Sequence, residues 1–190
     1  MKLECNDSKS KEMEKYLVLD IETQRLSHEV SGGWNNIGAF GLAIAVTMHN
    51  DGMWEHWTEY DTHILIPELL DSPKVITFNG IHFDYEVLRP YGLDPEELYP
   101  KSYDILHEMR KVLGHRVSLD SVAQATLGTE KSGSGIDAVK WYKEGEIDKV
   151  INYCLDDVII TKQIYRFIKQ HGFCYYTDLQ GGKRACQLET

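Results

Sequence analysis

Paired cysteines, long apolar runs and positive charge are all scarce in this chain. Cys5, Cys154, Cys174 and Cys186 lie far apart with no CxxC pair, so neither a disulfide framework nor a zinc knuckle is expected, and reduced thiols are. No stretch approaches the ~18 apolar residues of a membrane-spanning helix. The opening MKLECNDSKSKEMEK also lacks the hydrophobic core of a signal peptide, so a cytoplasmic protein with no membrane partner is expected. Lys and Arg number 20 against 30 Asp and Glu, a net charge of −10. That balance weighs against nucleic acid, whose phosphates are normally met by basic side chains. The deficit is uneven, however: residues 1–100 carry 7 basic and 18 acidic side chains, and residues 101–190 carry 13 and 12. The second half is free to present a local basic face, and divalent cations can bridge an acidic protein to a polyanion.

What is present suits one globular domain. The 190 residues are 42% hydrophobic and 11% aromatic, enough for a sizeable core. We expect the domain over residues 15–190, behind a flexible polar segment at 1–14. YLVLDIET (16–23) is β-branched, apolar and short, as a central strand should be. AFGLAIAVTM (39–48) and MWEHWTEY (53–60) are joined by HNDG, a hairpin turn signal. VITF (75–78) is a further strand, followed by a helix through FDYEVLRPYG. SYDILHEMRKVLG and SLDSVAQATLG read as helices, with Ser118 as an N-cap and Gly114 and Gly128 as C-terminal glycines. TEKSGSGIDAV (129–139) reads as a connection, a long helix spans about 146–170, and FCYYTDLQGGKRACQLE suggests a terminal hairpin. These elements predict an α/β fold, a mixed β-sheet flanked by α-helices.

Three short motifs carry chemistry. Asp20 and Glu22 stand two apart on the first strand, so both carboxylates project from one face. Carboxylates that close repel unless a proton or cation lies between them, and hard divalent ions take such oxygens. In NGIHFD, Asp84 falls in the first turn of a helix; capping alone would also explain an acid there. In VINYCLDDVIIT, two aspartates interrupt a run suited to burial. Helical phase separates them. Asp156 aligns with Lys149, Asn152 and Gln163 on a polar stripe, whereas Asp157 aligns with Tyr153, Ile160 and Ile164 on an apolar one. Asp157 is therefore assigned to the site and Asp156 to the surface.

D-x-E on a first strand, then N-x-x-x-F-D, then Y-x-x-x-D, in that order, resembles the 3′–5′ exonucleases of the DEDD superfamily, tyrosine subclass. These have an RNase H-like fold. The middle motif is similar to that of the proofreading domains of family B DNA polymerases and of related stand-alone bacterial proteins. The histidine subclass would place His five positions before its last Asp, where Asn152 stands here. The resemblance covers about residues 16–169 and leaves no room for polymerase domains in the chain. It implies Asp20, Glu22, Asp84 and Asp157 as ligands of two divalent ions, Mg²⁺ or Mn²⁺, and hydrolysis of DNA or RNA to nucleoside 5′-monophosphates. Tyr153 would orient the attacking water; a free phenol titrates near ~10, which favours that role over base catalysis. Thr23, Asn79 and Phe83 are expected to help hold a single-stranded 3′ end. A helicase or repair complex is the expected protein partner.

Trp34 and Trp141–Tyr142, near Lys140 and Lys143, are candidate base-stacking aromatics, with ordinary packing as the alternative. Other signals fail. GTEKSG starts like a phosphate-binding loop, but Ser134 follows Gly133 where Lys is needed. The histidines form no HExxH, and GHRVSLD is no nucleophile elbow. Two rival functions are a nuclease of the same fold that cuts internally, and a catalytically weak or inactive nucleic-acid-binding module.

Overall fold

Seven residues of near-continuous burial make β1 (Leu17–Thr23) the centre of a five-stranded sheet. A computed structural model describes residues 14–129 and 133–190; the flexible segment expected at 1–14 lies almost wholly outside the described residues. β1 pairs antiparallel with β2 (Leu42–His49), and β2 pairs antiparallel with β3 (Trp54–Trp57) at one edge. On the other side β4 (Val75–Thr77) runs parallel to β1, and β5 (Ser102–Asp104) runs parallel to β4. The order β3-β2-β1-β4-β5 gives the mixed sheet that the sequence predicts.

Strand alternation divides the core in two. Leu17, Leu19 and Ile21 pack with α1 (Thr62–Asp71) and α2 (Asp84–Leu88) through Leu65, Leu69, Tyr85 and Leu88. Val18, Ile44, Val46 and Ile76 pack on the opposite face. There they meet α4 (Ile105–Leu113), α5 (Leu119–Leu127) and the 25-residue α7 (Ile147–His171). Val150, Cys154, Val158, Ile164 and Ile168 form the inner stripe of α7 and are fully buried. Burial on that scale contributes ~1.5–3 kcal/mol for each large aliphatic side chain. Asp20 and Glu22 share the parity of Val18, so they point toward the α7 face.

The expected caps are present. Ser118 Oγ accepts from the Ser121 N–H, and Gly114 and Gly128 end their helices in the left-handed region. After α7, β6 (Phe173–Thr177) and β7 (Lys183–Gln187) form the terminal hairpin, in which the free thiols Cys174 and Cys186 stand opposite each other.

Four local expectations need correction. SYD is the edge strand β5, not the start of a helix, because it pairs with β4. The segment read as a connection at 129–139 becomes helix α6 (Gly135–Lys143) from Gly135 onward, started by a capping box in which the Ser134 hydroxyl and the Asp137 carboxylate each bond the other's backbone N–H. Strand β3 is shorter than MWEHWTEY, ending at Trp57 before Thr58 caps a short 3₁₀ turn. Helix α1, which carries Pro67, and the short α3 (Pro95–Leu98) have no counterpart in the sequence reading. Among the described residues, no helix is long and apolar enough to cross a membrane.

Candidate metal centre and active site

The end of β1 and the middle of α7 meet at an acidic cluster. One carboxylate oxygen each from Asp20, Glu22 and Asp157 lies within 4.8 Å of the others. Glu22 and Asp157 are buried, and Asp20 is partly so. The ladder between β1 and β2 shifts register between Glu22 and Thr23. Such irregularities bend a strand and re-aim its side chains. Asp156 is exposed, as the helical phase requires.

Asp84 is the first residue of α2 and only 3% exposed. Burial, then the charges of Asp20 and Asp104, push its carboxyl well above the usual carboxylate range. Its Oδ1 is buried with no hydrogen-bond partner. Asp84 thus faces the charge of Asp20, a member of the three-acid cluster, where burial and carboxylate repulsion oppose its ionised form. A hard donor set of this kind, with an uncompensated oxygen, fits a divalent cation such as Mg²⁺ or Mn²⁺.

The segment that delivers Asp84 is held by a residue the sequence reading missed. Asp104 ends β5 and is 1% exposed. Its Oδ1 accepts from the N–H groups of Asn79 (2.9 Å) and His107 (3.0 Å), and its Oδ2 from that of Ile81 (3.0 Å). Asn79 sits at φ 77°, and a Cβ on Gly80 would lie 2.6 Å from the Thr77 side chain. Only glycine fits there without displacing β4. Asn79 therefore serves the turn through its backbone, while its side-chain Oδ1 is buried without a partner.

Tyr153 lies one helical turn before Asp157, buried, with its ring edge-on to Trp141 at 6.1 Å. Of the three stacking candidates, Trp141 and Tyr142 thus pack against the core and Trp34 stays open. Phe83 contacts both Trp34 and Phe40 at 6.1 Å. Thr23 Oγ1 donates to the Arg25 carbonyl at 3.1 Å. Cys154, also unassigned by the sequence reading, places its Sγ 3.3 Å from the Asp20 carbonyl and 3.4 Å from its Oδ2. Burial first, and then the charges of Asp20 and Glu22, hold this thiol protonated by pushing it well above its ordinary value. Its position three residues before Asp157 was the available signal, since i and i+3 share a helix face.

The rings of His82 and His107 are 5.8 Å apart. Burial, and then the nearby charges of Arg110, His107 and Arg116, hold the His82 imidazole below its ordinary value, opposed by Asp104.

A profile of the RNase H superfamily matches residues 17–169, and the chain belongs to that superfamily. Two solved structures share the fold. One is the family B DNA polymerase from the hyperthermophilic archaeon Pyrobaculum calidifontis, with TM-score 0.63 and 14% identity over 82% of this chain and 24% of that one. The other is exonuclease I, with TM-score 0.55 and 16% identity over 82% of this chain and 41% of that one. This chain therefore spans well under half of either protein. No curated relative matches the sequence.

Proposed function

We propose that this chain is a metal-dependent 3′–5′ exonuclease that releases nucleoside 5′-monophosphates from single-stranded nucleic acid. The observation that carries this reading is the acidic cluster of Asp20, Glu22 and Asp157, within 4.8 Å at the end of the central strand. The charge-linked Asp84 completes it. The similarity to an exonuclease and to a DNA polymerase supports it, and the order of the three motifs supports its polarity and the tyrosine subclass.

Asp20, Glu22, Asp84 and Asp157 would hold two Mg²⁺ or Mn²⁺ ions. Bound there, such ions supply Lewis-acid stabilisation of phosphoryl charge and a more acidic water. Tyr153 holds the attacking water, since a phenol hydroxyl can donate one hydrogen bond and accept another. Water oxygen bonds to phosphorus, the bond from phosphorus to the 3′-oxygen breaks, and a proton passes to that oxygen. Asp104 keeps Asp84 in place through the Asn79–Ile81 turn. The Thr23 and Asn79 segments line the approach.

The test uses 5′-labelled single strands of DNA and RNA, with Mn²⁺ or with EDTA. The expected result is a ladder that shortens from the 3′ end only with Mn²⁺, and is stopped by an inverted 3′-terminal nucleotide. Internal cuts without a ladder would sink the exonuclease reading while keeping the metal site. Saturable Mn²⁺ binding without cleavage would instead indicate a nucleic-acid-binding module working with a helicase or repair partner.

A further inference from the structure

We propose that the open edge of β7 is a self-association surface, on which a second copy of this chain pairs antiparallel through its own β7. The two edges of the terminal hairpin are treated differently. Hydroxyls of α5 close the β6 side. Thr126 Oγ1 donates to the Tyr175 carbonyl at 2.8 Å and accepts from the Tyr175 N–H at 2.9 Å. Ser121 Oγ does the same for Thr177, at 3.1 and 3.0 Å. Both residues thus turn their backbone groups away from β7, and in an antiparallel ladder the residues opposite them turn theirs off the far side. Tyr175 stands opposite Ala185, and Thr177 opposite Lys183. Lys183, Ala185 and, by alternation, Gln187 therefore aim N–H and C=O groups outward. The Leu188 N–H bonds the Gly172 carbonyl at 2.9 Å, which carries the same alternation on and turns Glu189 outward too. Among the described residues no strand lies beyond β7, these outward groups have no backbone partner, and all four residues are exposed.

Open edges are ordinarily guarded by charge, proline or a bulge. This one has no proline and no register shift. Its two cations are drawn back over the hairpin: Lys183 Nζ lies 4.1 Å from the Tyr175 ring centroid, and Arg184 Nε bonds Asp178 at 2.8 Å. The charge order of KRACQLE (183–189) is what selects a second copy. When two such strands run antiparallel about Cys186, each Lys183 stands opposite Glu189 of the other copy, and each Ala185 opposite Gln187. That register engages all four outward positions and forms two opposite-charge pairs, which support an antiparallel ladder. Centred on Ala185 instead, it leaves Glu189 without its cation. Centred on Arg184, it sets two guanidinium side chains against each other. The assembly is also closed. The outer edges of the resulting four-stranded sheet are the β6 edges that α5 already covers, so growth stops at two copies.

Sedimentation velocity over a wide dilution series tests this. Wild type is expected to pass from monomer to dimer as concentration rises, with no larger species. Lys183→Glu and Glu189→Lys each replace two attractive pairs by two repulsive ones, and each should weaken dimerisation at least ~10-fold. The double variant carrying both changes should recover the dimer. Lys183→Glu also removes the contact with Tyr175, which the second change does not restore, so recovery isolates the pairing between copies. Ala185→Pro deletes an outward N–H and none of the β6 ladder. It should abolish the dimer while thermal melting shows the monomer still folded. A wild type that stays monomeric throughout would overturn the proposal. So would a dimer that the single variants leave unchanged, or a double variant no better than either single one.

Discussion

Asp84→Asn is expected to abolish metal-dependent cleavage and, in EDTA, to melt at a higher temperature than the parent. The carboxyl it replaces is buried, faces the charges of Asp20 and Asp104, and leaves one oxygen without a partner. Its value in the folded protein lies above the ~3.9 of an unfolded chain. The native state therefore holds this proton more tightly than the unfolded state does. The contribution of this one carboxyl to stability is greatest below about pH 4 and declines as pH rises toward the raised value. The further the pH rises above the unfolded value, the more of that penalty the metal-free parent carries, while the amide carries none. A divalent cation reverses the ranking: at 100 times its Kd a ligand adds about 2.7 kcal/mol, or roughly 5–10 °C for a chain of this size. The variant should gain little. Cleavage should fall at least ~100-fold, as when one preorganised charge-stabilising group is removed. Melting from pH 5 to 8, in EDTA and in Mn²⁺, checks both halves. An EDTA melt at pH 7.5 in which Asp84→Asn is the less stable protein would refute the repulsion account.

Asp104→Ala should cost about 3 kcal/mol and also impair the site, although Asp104 is not among the clustered ligands. Its carboxylate receives three backbone N–H groups, from Asn79, Ile81 and His107. Each orphaned buried donor costs ~1 kcal/mol or more. The melting temperature should fall by about 6–12 °C. Asp104→Asn should not rescue it fully, because an amide that keeps its oxygen on Asn79 and His107 turns NH₂ toward the Ile81 N–H. Mn²⁺ titration separates a lost turn from simple loss of stability. At a temperature where the variant is folded, its Mn²⁺ affinity should still be weaker, by about 10–100-fold, the scale of lost support behind a ligand. Unchanged affinity would show that Asp84 needs no such support.

What could be read in advance was whatever lies within a helical turn or a strand pleat. The pairing of Asp20 with Glu22 follows from strand alternation, and the choice of Asp157 over Asp156 from helical phase; both placements hold in the structure. Asp104 was invisible because its partners at Asn79 and Ile81 are 25 and 23 residues away. Only the pairing of β4 with β5 brings them together. SYD is too short to show a period and merges into the helix behind it, so its strand exists by tertiary pairing. Helix α6 hid behind the composition of SGSG, although Ser134 and Asp137 carry the spacing of a capping box. Pro67 interrupts the pattern of α1 in the same way. Cys154 looked inert because nothing in its own segment reports that Asp20 lies across from it.

The contact of Cys154 with Asp20 joins positions 134 apart in the chain. Loops of that length close slowly and late, since their entropy must be overcome before their contacts form. The acidic cluster is then absent from the early folding nucleus and from much of the transition state. An interaction of that kind acts on the rate of escape from the native basin rather than on the rate of entry. Divalent cations should therefore leave the refolding arm of a denaturant chevron nearly unmoved while lowering the unfolding arm, and a shifted refolding arm would place the cluster early. A cation held at the proposed site would govern how long the molecule lasts, and have little part in how it is made.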